Sequence, residues 1–441
     1  MQVSVEITSG LGRRLTIGVP AERIEAEVNS RLEKASRNIR LKGFRQGRIP
    51  MKVVRQRFGA GVRQEVLGEV MTQTFYEAVR QEDLRPAGQP TIEPRSLTTG
   101  RDLEFTATFE VYPEIELIEF SRLGIEKPQS GVQDADVDRM IDVLRNQQAS
   151  WETVERAAAD GDRVNIDFTG RRDGEVFEGG AATGTDLQLG AGRMVPGFEA
   201  GIAGIAPGES RVVALTMPET YHAEALKGAA VEFEITVNAV SEKRLPELNE
   251  EFFARYGVAD GGMDAFRVEV RNNMERELRQ ALRNKLKGRV LEALFERTEV
   301  EVPNSLVAQE IEGLRRQAVR QFGGDASRFD ASMLPDDMFR AQAIRRVSLG
   351  LLLGEVIRRE ALKADPARVR RMVEETASTY EEPQEVINWY YGNREQLATI
   401  EAVALEDQVI DLILERATVT EIDCSYEDAL RADPPKATTV S

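Results

Sequence analysis

Apolar residues recur along this chain in two rhythms. Val3, Val5 and Ile7, then Leu15, Ile17 and Val19, alternate with polar positions on either side of Gly10 and Gly12, the period expected of two strands because successive strand side chains point to opposite faces. From Pro20 the spacing lengthens, and Ile24, Val28, Leu32, Ala35 and Ile39 fall on one face of a predicted helix. A second helical stretch carries Val62, Val66, Val70 and Met71, after which Leu103, Phe105, Ala107, Phe109 and Val111 return to alternation. The first 112 residues are therefore predicted to form a small α+β unit.

Residues 113–150 read as a connector with one helix, its stripe made by Val137, Ile141 and Leu144 and its N-cap supplied by Asp134. From Gly161 strands dominate. Val164, Ile166 and Phe168 alternate, Asp173-Gly174 offers a hairpin turn, and short strands continue through Leu187, Leu189, Val212, Ala214, Phe233, Ile235 and Val237. Beyond Pro246 the pattern is helical: Phe266, Val270, Met274, Leu278, Leu282, Leu286, Val290 and Leu294 recur every fourth residue, a ladder that predicts a helix of roughly 50 Å at about 1.5 Å per residue. Further helices are predicted after Pro303 with Asn304 or Ser305 as cap, from Asp337 to Leu362, from Asp365-Pro366 onward, and from a cap at Asn393 to about Ala417. The segment after Cys424 is polar enough to be read as disordered. The expected fold class is multidomain α+β: an α+β domain over 1–112, a helical linker over 113–150, a β-rich domain over 151–245, an all-helical domain with long arms over 246–432, and a disordered tail over 433–441.

Composition narrows what such a chain can do. A length of 441 residues exceeds one ordinary core and fits three units at about 100–200 residues each. A net charge of −17 argues against general affinity for nucleic acid or anionic lipid. No apolar run reaches about 18 residues, and MQVSVEITSG lacks the basic start and apolar stretch of a signal peptide, so a cytoplasmic protein with no membrane partner is expected. Cys424 is the single cysteine and His222 the single histidine, which excludes a disulfide framework and Cys/His zinc sites; no metal is expected, and His222 is read as structural. Gly190-Ala-Gly192 opens like a dinucleotide fingerprint, but the sixth position is Val195 and no βαβ unit surrounds it. With no Walker A sequence either, no nucleotide cofactor is expected.

The average charge hides an asymmetry. Between Arg31 and Arg63 eleven basic residues face one acid, Glu33, so this window carries +10 and the remainder −27. Inside it lies GFRQGRIP, Gly43 to Pro50. Gly43 and Gly47 suit the two ends of an exposed loop, Pro50 suits the start of the next helix, and Phe44 and Arg45 are left at the tip. This stretch resembles the GFRxGxxP loop of bacterial trigger factors, chaperones that dock beside the ribosomal exit tunnel. The resemblance implies a docking loop of Lys42, Gly43, Phe44, Arg45, Gln46, Gly47 and Arg48 that contacts ribosomal protein and rRNA of the large subunit. Phe44 would be the apolar anchor and Arg45 the partner of a phosphate or carboxylate. Gln46 stands where many members have lysine.

Two further runs, GDRVNIDFTGRRDGEVFEGG and LQLGAGRMVPGFEAGIAGIAPGE, resemble the FKBP-type prolyl isomerase domain. That resemblance implies a pocket with Phe168 and Phe177 as walls, Met194 and Val195 as rim, Phe198 as floor where tryptophan is usual, and Tyr221 and Phe233 closing it. Glu178 takes the place of the usual aspartate. An apolar site suits this chemistry, because X-Pro rotation must lose conjugation over a barrier of about 18–20 kcal/mol and needs neither proton transfer nor nucleophile. A dry surface favours the less dipolar twisted amide, and the Tyr221 hydroxyl is placed to hold a flanking carbonyl.

The trigger factor resemblance also implies that part of the helical region faces an open cavity for unfolded and nascent polypeptides. Met263, Phe322, Met333, Leu334 and Met338 are the candidates, methionine being suited to promiscuous surfaces because it repacks. ATP-independent holding of chains is implied, and homodimerisation of the free protein is left open. A freestanding FKBP-type isomerase would account for 151–245 but not for the long helices or the basic loop. A periplasmic chaperone-isomerase is opposed by the missing signal peptide, and a duplex-binding protein would need a broader basic face.

Overall fold

The computed structural model describes residues 2–38, 44, 49–96, 98, 100–221, 223–321 and 334–433. In chain order the N-terminal part forms β1 (Gln2–Ser9), β2 (Gly12–Val19), α1 (Ala21–Asn38), α2 (Met51–Gln81), β3 (Pro86–Ser96) and β4 (Leu103–Val111). Then follow β5 (Gly124–Gln129), α3 (Asp134–Gln147), β6 (Ser150–Val154), β7 (Arg163–Arg172), β8 (Glu175–Gln188), the short α4 (Phe198–Ile202), β9 (Ser210–Thr216) and β10 (Ala230–Arg244). The remainder is α5 (Glu250–Ala254), α6 (Gly262–Arg297), α7 (Asn304–Gln321), α8 (Asp337–Arg359), α9 (Pro366–Ala377), α10 (Pro383–Gly392), α11 (Arg394–Arg416), β11 (Thr418–Asp423) and α12 (Tyr426–Leu430). This is the mixed α/β architecture expected, divided into two units. One holds the chain up to Pro128 together with Asn284–Ile422, the other Gln129–Arg283 together with Asp423–Arg431.

In the first unit an antiparallel sheet of order β1-β2-β4-β3 turns Leu15, Ile17, Phe105 and Ala107 inward. There they meet Ile24, Val28 and Leu32 of α1 and Val66, Val70 and Phe75 of α2. The edge strand β1 escapes this cover, so Val5 and Ile7 stay exposed although they alternate as core residues would. Part of the basic window is neutralised locally. Arg31 pairs with Glu27, Glu65 and Glu69, and Arg63 with Glu25, whereas exposed Lys34, Arg37, Lys52 and Arg57 meet no carboxylate among the described residues.

The start of α7 corrects the expected cap. Asn304 and Ser305 are its first helical residues, and the acceptor is Glu110 of β4, which takes the Ser305 backbone N–H at 2.7 Å and the Asn304 amide at 3.2 Å. Burial pushes the Glu110 carboxyl up, but these hydrogen bonds outweigh it and leave the group below its ordinary value. A helix start capped from a distant strand has no local sequence signature. Asp134 likewise proves to be the first residue of α3 and not its cap; the Gln133 backbone N–H before it donates to Asp136 at 2.8 Å.

In the second unit β6, β10, β7 and β8 pair in that order, with β9 on β10, all antiparallel. Asp173 and Gly174 both take positive φ, 52° and 85°, as a two-residue hairpin requires. Helix α6, about 54 Å long for its 36 residues, spends its apolar ladder on two cores. Phe266, Val270, Met274 and Leu278 join Val137, Phe252, Phe253 and Tyr426 in the second unit. Val290 and Leu294 join Leu352, Val356, Val409 and Ile413 in the first.

The segment after Cys424 also departs from expectation. It forms α12, whose start is capped by the Ser425 hydroxyl accepting from the Asp428 N–H at 3.0 Å, and Tyr426 is buried. Two apolar side chains three residues apart, Tyr426 and Ala429, are enough once a core receives them, although the average composition is polar. Residues 434–441 lie outside the described residues. Strand β11 pairs with β5 in a two-stranded sheet, an element hidden by the sequence separation of its strands. Among the described residues no helix is long and apolar enough to cross a membrane.

Candidate functional site

Strand alternation in β7 sends Val164, Ile166 and Phe168 to the face covered by α4. The neighbouring strands add Phe177 from β8 and Phe233 from β10, and α4 supplies Phe198. These four rings meet mostly edge to face. Phe198 lies 5.0 Å from Phe233 and 5.6 Å from Phe168 between centroids, and Phe177 lies 5.8 Å from Phe233, the arrangement that places positive ring edges against negative faces. Phe198 and Phe233 are buried, while Phe168, Phe177, Met194, Val195 and Tyr221 are half-buried against the same cluster. The result is a closed aromatic base under a partly exposed apolar surface. Seven of the eight residues predicted from sequence are thereby brought together. Glu178 is exposed, with no hydrogen bond or ion pair among the described residues.

Sequence reasoning missed the residues that hold this surface in shape. A Cβ on Gly170 would come within 2.6 Å of Phe233 and 2.7 Å of Phe177, and one on Gly180 within 2.7 Å of Phe177, so the rings lie directly over bare backbone. A glycine inside a strand pattern is the signal that could have found both. Glu199, beside Phe198, gathers the rim loop: its Oε2 accepts from the N–H groups of Gly190 (2.9 Å) and Gly192 (3.0 Å), its Oε1 from those of Arg193 (2.8 Å) and Met194 (3.1 Å). Burial raises this carboxyl, yet the four donors prevail and hold it below its ordinary value. At the other end of α4 the Arg211 guanidinium donates to the carbonyls of Gly201, Ala203 and Gly204 at 3.1–3.3 Å, satisfying groups that a helix end leaves orphaned.

Of the predicted docking loop, Phe44 is described and is 40% exposed. Lys42, Gly43, Arg45, Gln46, Gly47 and Arg48 lie outside the described residues, as do Phe322 and Met333 of the predicted client surface and His222. Met338 is 66% exposed in the first turn of α8, Leu334 is half-buried before it, and Met263 is half-buried against the Phe266 core. Met263 belongs to the second unit, Leu334 and Met338 to the first. Helix α10, which buries none of its residues and exposes Trp389 and Tyr391, was missed as a candidate although its Trp-Tyr-Tyr run is plain in the sequence.

An antiparallel sheet wrapped on one short helix, lined by aromatic rings and set in a chain that is otherwise α+β and helical, defines a protein that carries an FKBP-type isomerase domain within a larger body. Family models agree: the FKBP-type peptidyl-prolyl cis-trans isomerase matches residues 154–238, the bacterial trigger factor protein residues 1–144, and the trigger factor C-terminus residues 262–415. The trigger factor of Cellvibrio japonicus is 55% identical over 433 residues, covering 98% of this chain and 99% of its own. Those of Teredinibacter turnerae and Pseudomonas aeruginosa are 51% and 52% identical over 438 residues, covering 99% of this chain and 99% and 100% of their own. A solved structure of the trigger factor chaperone aligns over 94% of this chain and 99% of its own, at 17% identity and a TM-score of 0.49. The chain belongs to the trigger factor family, chaperones that carry an FKBP-type peptidyl-prolyl isomerase domain.

Proposed function

We propose that this chaperone docks at the exit tunnel of the large ribosomal subunit through residues 42–48, holds nascent chains without ATP on its helical region, and turns over X-Pro bonds on the surface formed by Phe168, Phe177, Met194, Val195, Phe198, Tyr221 and Phe233. It works in the cytoplasm, with docking assigned to 1–112, isomerisation to 151–245 and holding to 113–150 together with 246–432. The observation that carries the isomerase reading is the buried Phe198–Phe233 base beneath a half-exposed apolar rim. Such a surface excludes water from one side of a prolyl ring and favours the twisted amide over the more dipolar planar one. A thousandfold acceleration needs only about 4 kcal/mol of that preference. The Tyr221 hydroxyl then holds the carbonyl beside the rotating bond, and no charge has to be created.

Docking is supported by exposed Phe44 and by the cations Lys34, Arg37, Lys52, Arg55 and Arg57 that flank the loop without carboxylate partners among the described residues. An apolar anchor amid uncompensated positive charge fits a mixed protein and RNA surface, and its binding should weaken with salt. The holding activity is tested by a chain lacking 151–245, which should still suppress aggregation of a refolding client. Complete loss of that suppression would move the activity into the FKBP-type domain. The isomerase surface is tested by Phe198→Ala, which should lower turnover at least tenfold in a chain that remains folded.

A further inference from the structure

We infer that Glu199 is a positioning residue for prolyl isomerisation, presetting the rim of the pocket through four hydrogen bonds; this rests on the pocket proposed above. Met194 and Val195 belong to the loop that joins β8 to α4. The Glu199 carboxylate reaches back from the second residue of that helix and takes the N–H groups of Gly190, Gly192, Arg193 and Met194, two on each oxygen. Both oxygens are thus fully committed within the chain and neither is offered to a substrate. The same helix is gripped at its far end by Arg211, which donates to three carbonyls. Phe198, one residue before Glu199, has its ring packed edge to face against those of Phe168 and Phe233. Floor and rim therefore share one short rigid mount, and Glu199 is the link between them.

A rim held in place costs a substrate nothing to order. If it is released, only the fraction of molecules with the rim in place binds productively, and apparent affinity falls by that fraction while the bound complex reacts as before. Glu199→Gln is nearly isosteric but replaces one acceptor oxygen by an N–H₂ that faces two N–H donors. Charge-assisted hydrogen bonds of this kind are strong enough that the variant should raise KM about tenfold and leave kcat within about twofold. Loss of folded protein would do the opposite, lowering kcat at constant KM.

The experiment uses the full chain. A proline peptide is titrated and its cis–trans exchange followed by NMR to separate KM from kcat, while mass-spectrometric amide exchange is read over 189–195. The expected result is a raised KM, an unchanged kcat and faster exchange confined to that loop. An unchanged KM, or a fall in kcat alone, would overturn the inference. Glu199→Asp keeps the charge with shorter reach and should give an intermediate KM; should Glu199→Gln fail to fold, an unchanged KM in Glu199→Asp would overturn it equally. Phe198→Ala run in parallel separates the two readings. Intact turnover in that variant would mean that the pocket lies elsewhere, whereas turnover lost there together with an unaltered KM in Glu199→Gln would remove the positioning role alone.

Discussion

Phe198→Ala is the substitution in which packing and chemistry can be told apart by magnitude. The ring is fully buried and meets Phe168 and Phe233 at 5.6 and 5.0 Å. Truncating such a side chain costs about 3–5 kcal/mol, which already contains the lost edge-to-face contacts. That lies at or below the low end of the roughly 5–15 kcal/mol by which domains are usually stable, so the variant should remain folded at 25 °C with a melting temperature lowered by roughly 12 °C or more, at about 4–8 °C per kcal/mol for a domain of this size. Turnover should fall much further, at least tenfold, because the hole admits water beneath the prolyl ring. Phe198→Leu supplies the control: it refills most of the volume at a cost of about 1.5 kcal/mol or less, so stability should recover more completely than activity. The assay is refolding of a proline-limited substrate, with circular dichroism to establish that each variant is folded. Unchanged turnover in folded Phe198→Ala would refute the assignment of this cluster as the isomerase surface.

Three other outcomes are expected. Phe44→Ala combined with Arg45→Ala should abolish co-sedimentation with ribosomes without shifting the thermal melt, and wild-type pelleting of the double variant would defeat the docking assignment. Gly170→Ala forces a methyl group into Phe233 and Phe177, so both the melting temperature of the FKBP-type domain and its turnover should drop; a silent substitution would mean that the rings have room to move. Glu110, whose folded pKa is depressed, contributes stability that is present above its unfolded value of about 4.3 and lost as pH falls through the lower folded value. The gap in melting temperature between wild type and Glu110→Ala should therefore be widest near neutrality, begin to narrow as pH falls below about 4.3, and close only below the folded value; a gap independent of pH would show that the carboxylate is not what caps α7.

Sequence alone determined whatever depends on near neighbours. The period of the Phe266–Leu294 ladder specified α6, Asn393 marked the start of α11 by accepting from the Gln396 N–H, Asp173-Gly174 marked its hairpin, and the resemblance carried by the spaced FKBP-type runs marked Phe198 and Phe233 with the five residues that gather around them, Phe168, Phe177, Met194, Val195 and Tyr221. Each of these signals is local because helix faces, caps and two-residue turns are defined within a few positions of the chain. Periodicity reports only that a face is apolar, never what covers it. That Val5 and Ile7 stay exposed while Tyr426 is buried, that one ladder serves two separate cores, that Glu110 caps a helix from a remote strand, and that β11 returns to pair with β5 were all decided by tertiary structure. The same is true of the pocket's supports. A glutamate beside a phenylalanine looks like any solvated acid until the chain folds four backbone N–H groups onto it, and Gly170 looks like a weakness in a strand until two rings settle over it, since both roles depend on partners that only the folded chain brings within reach.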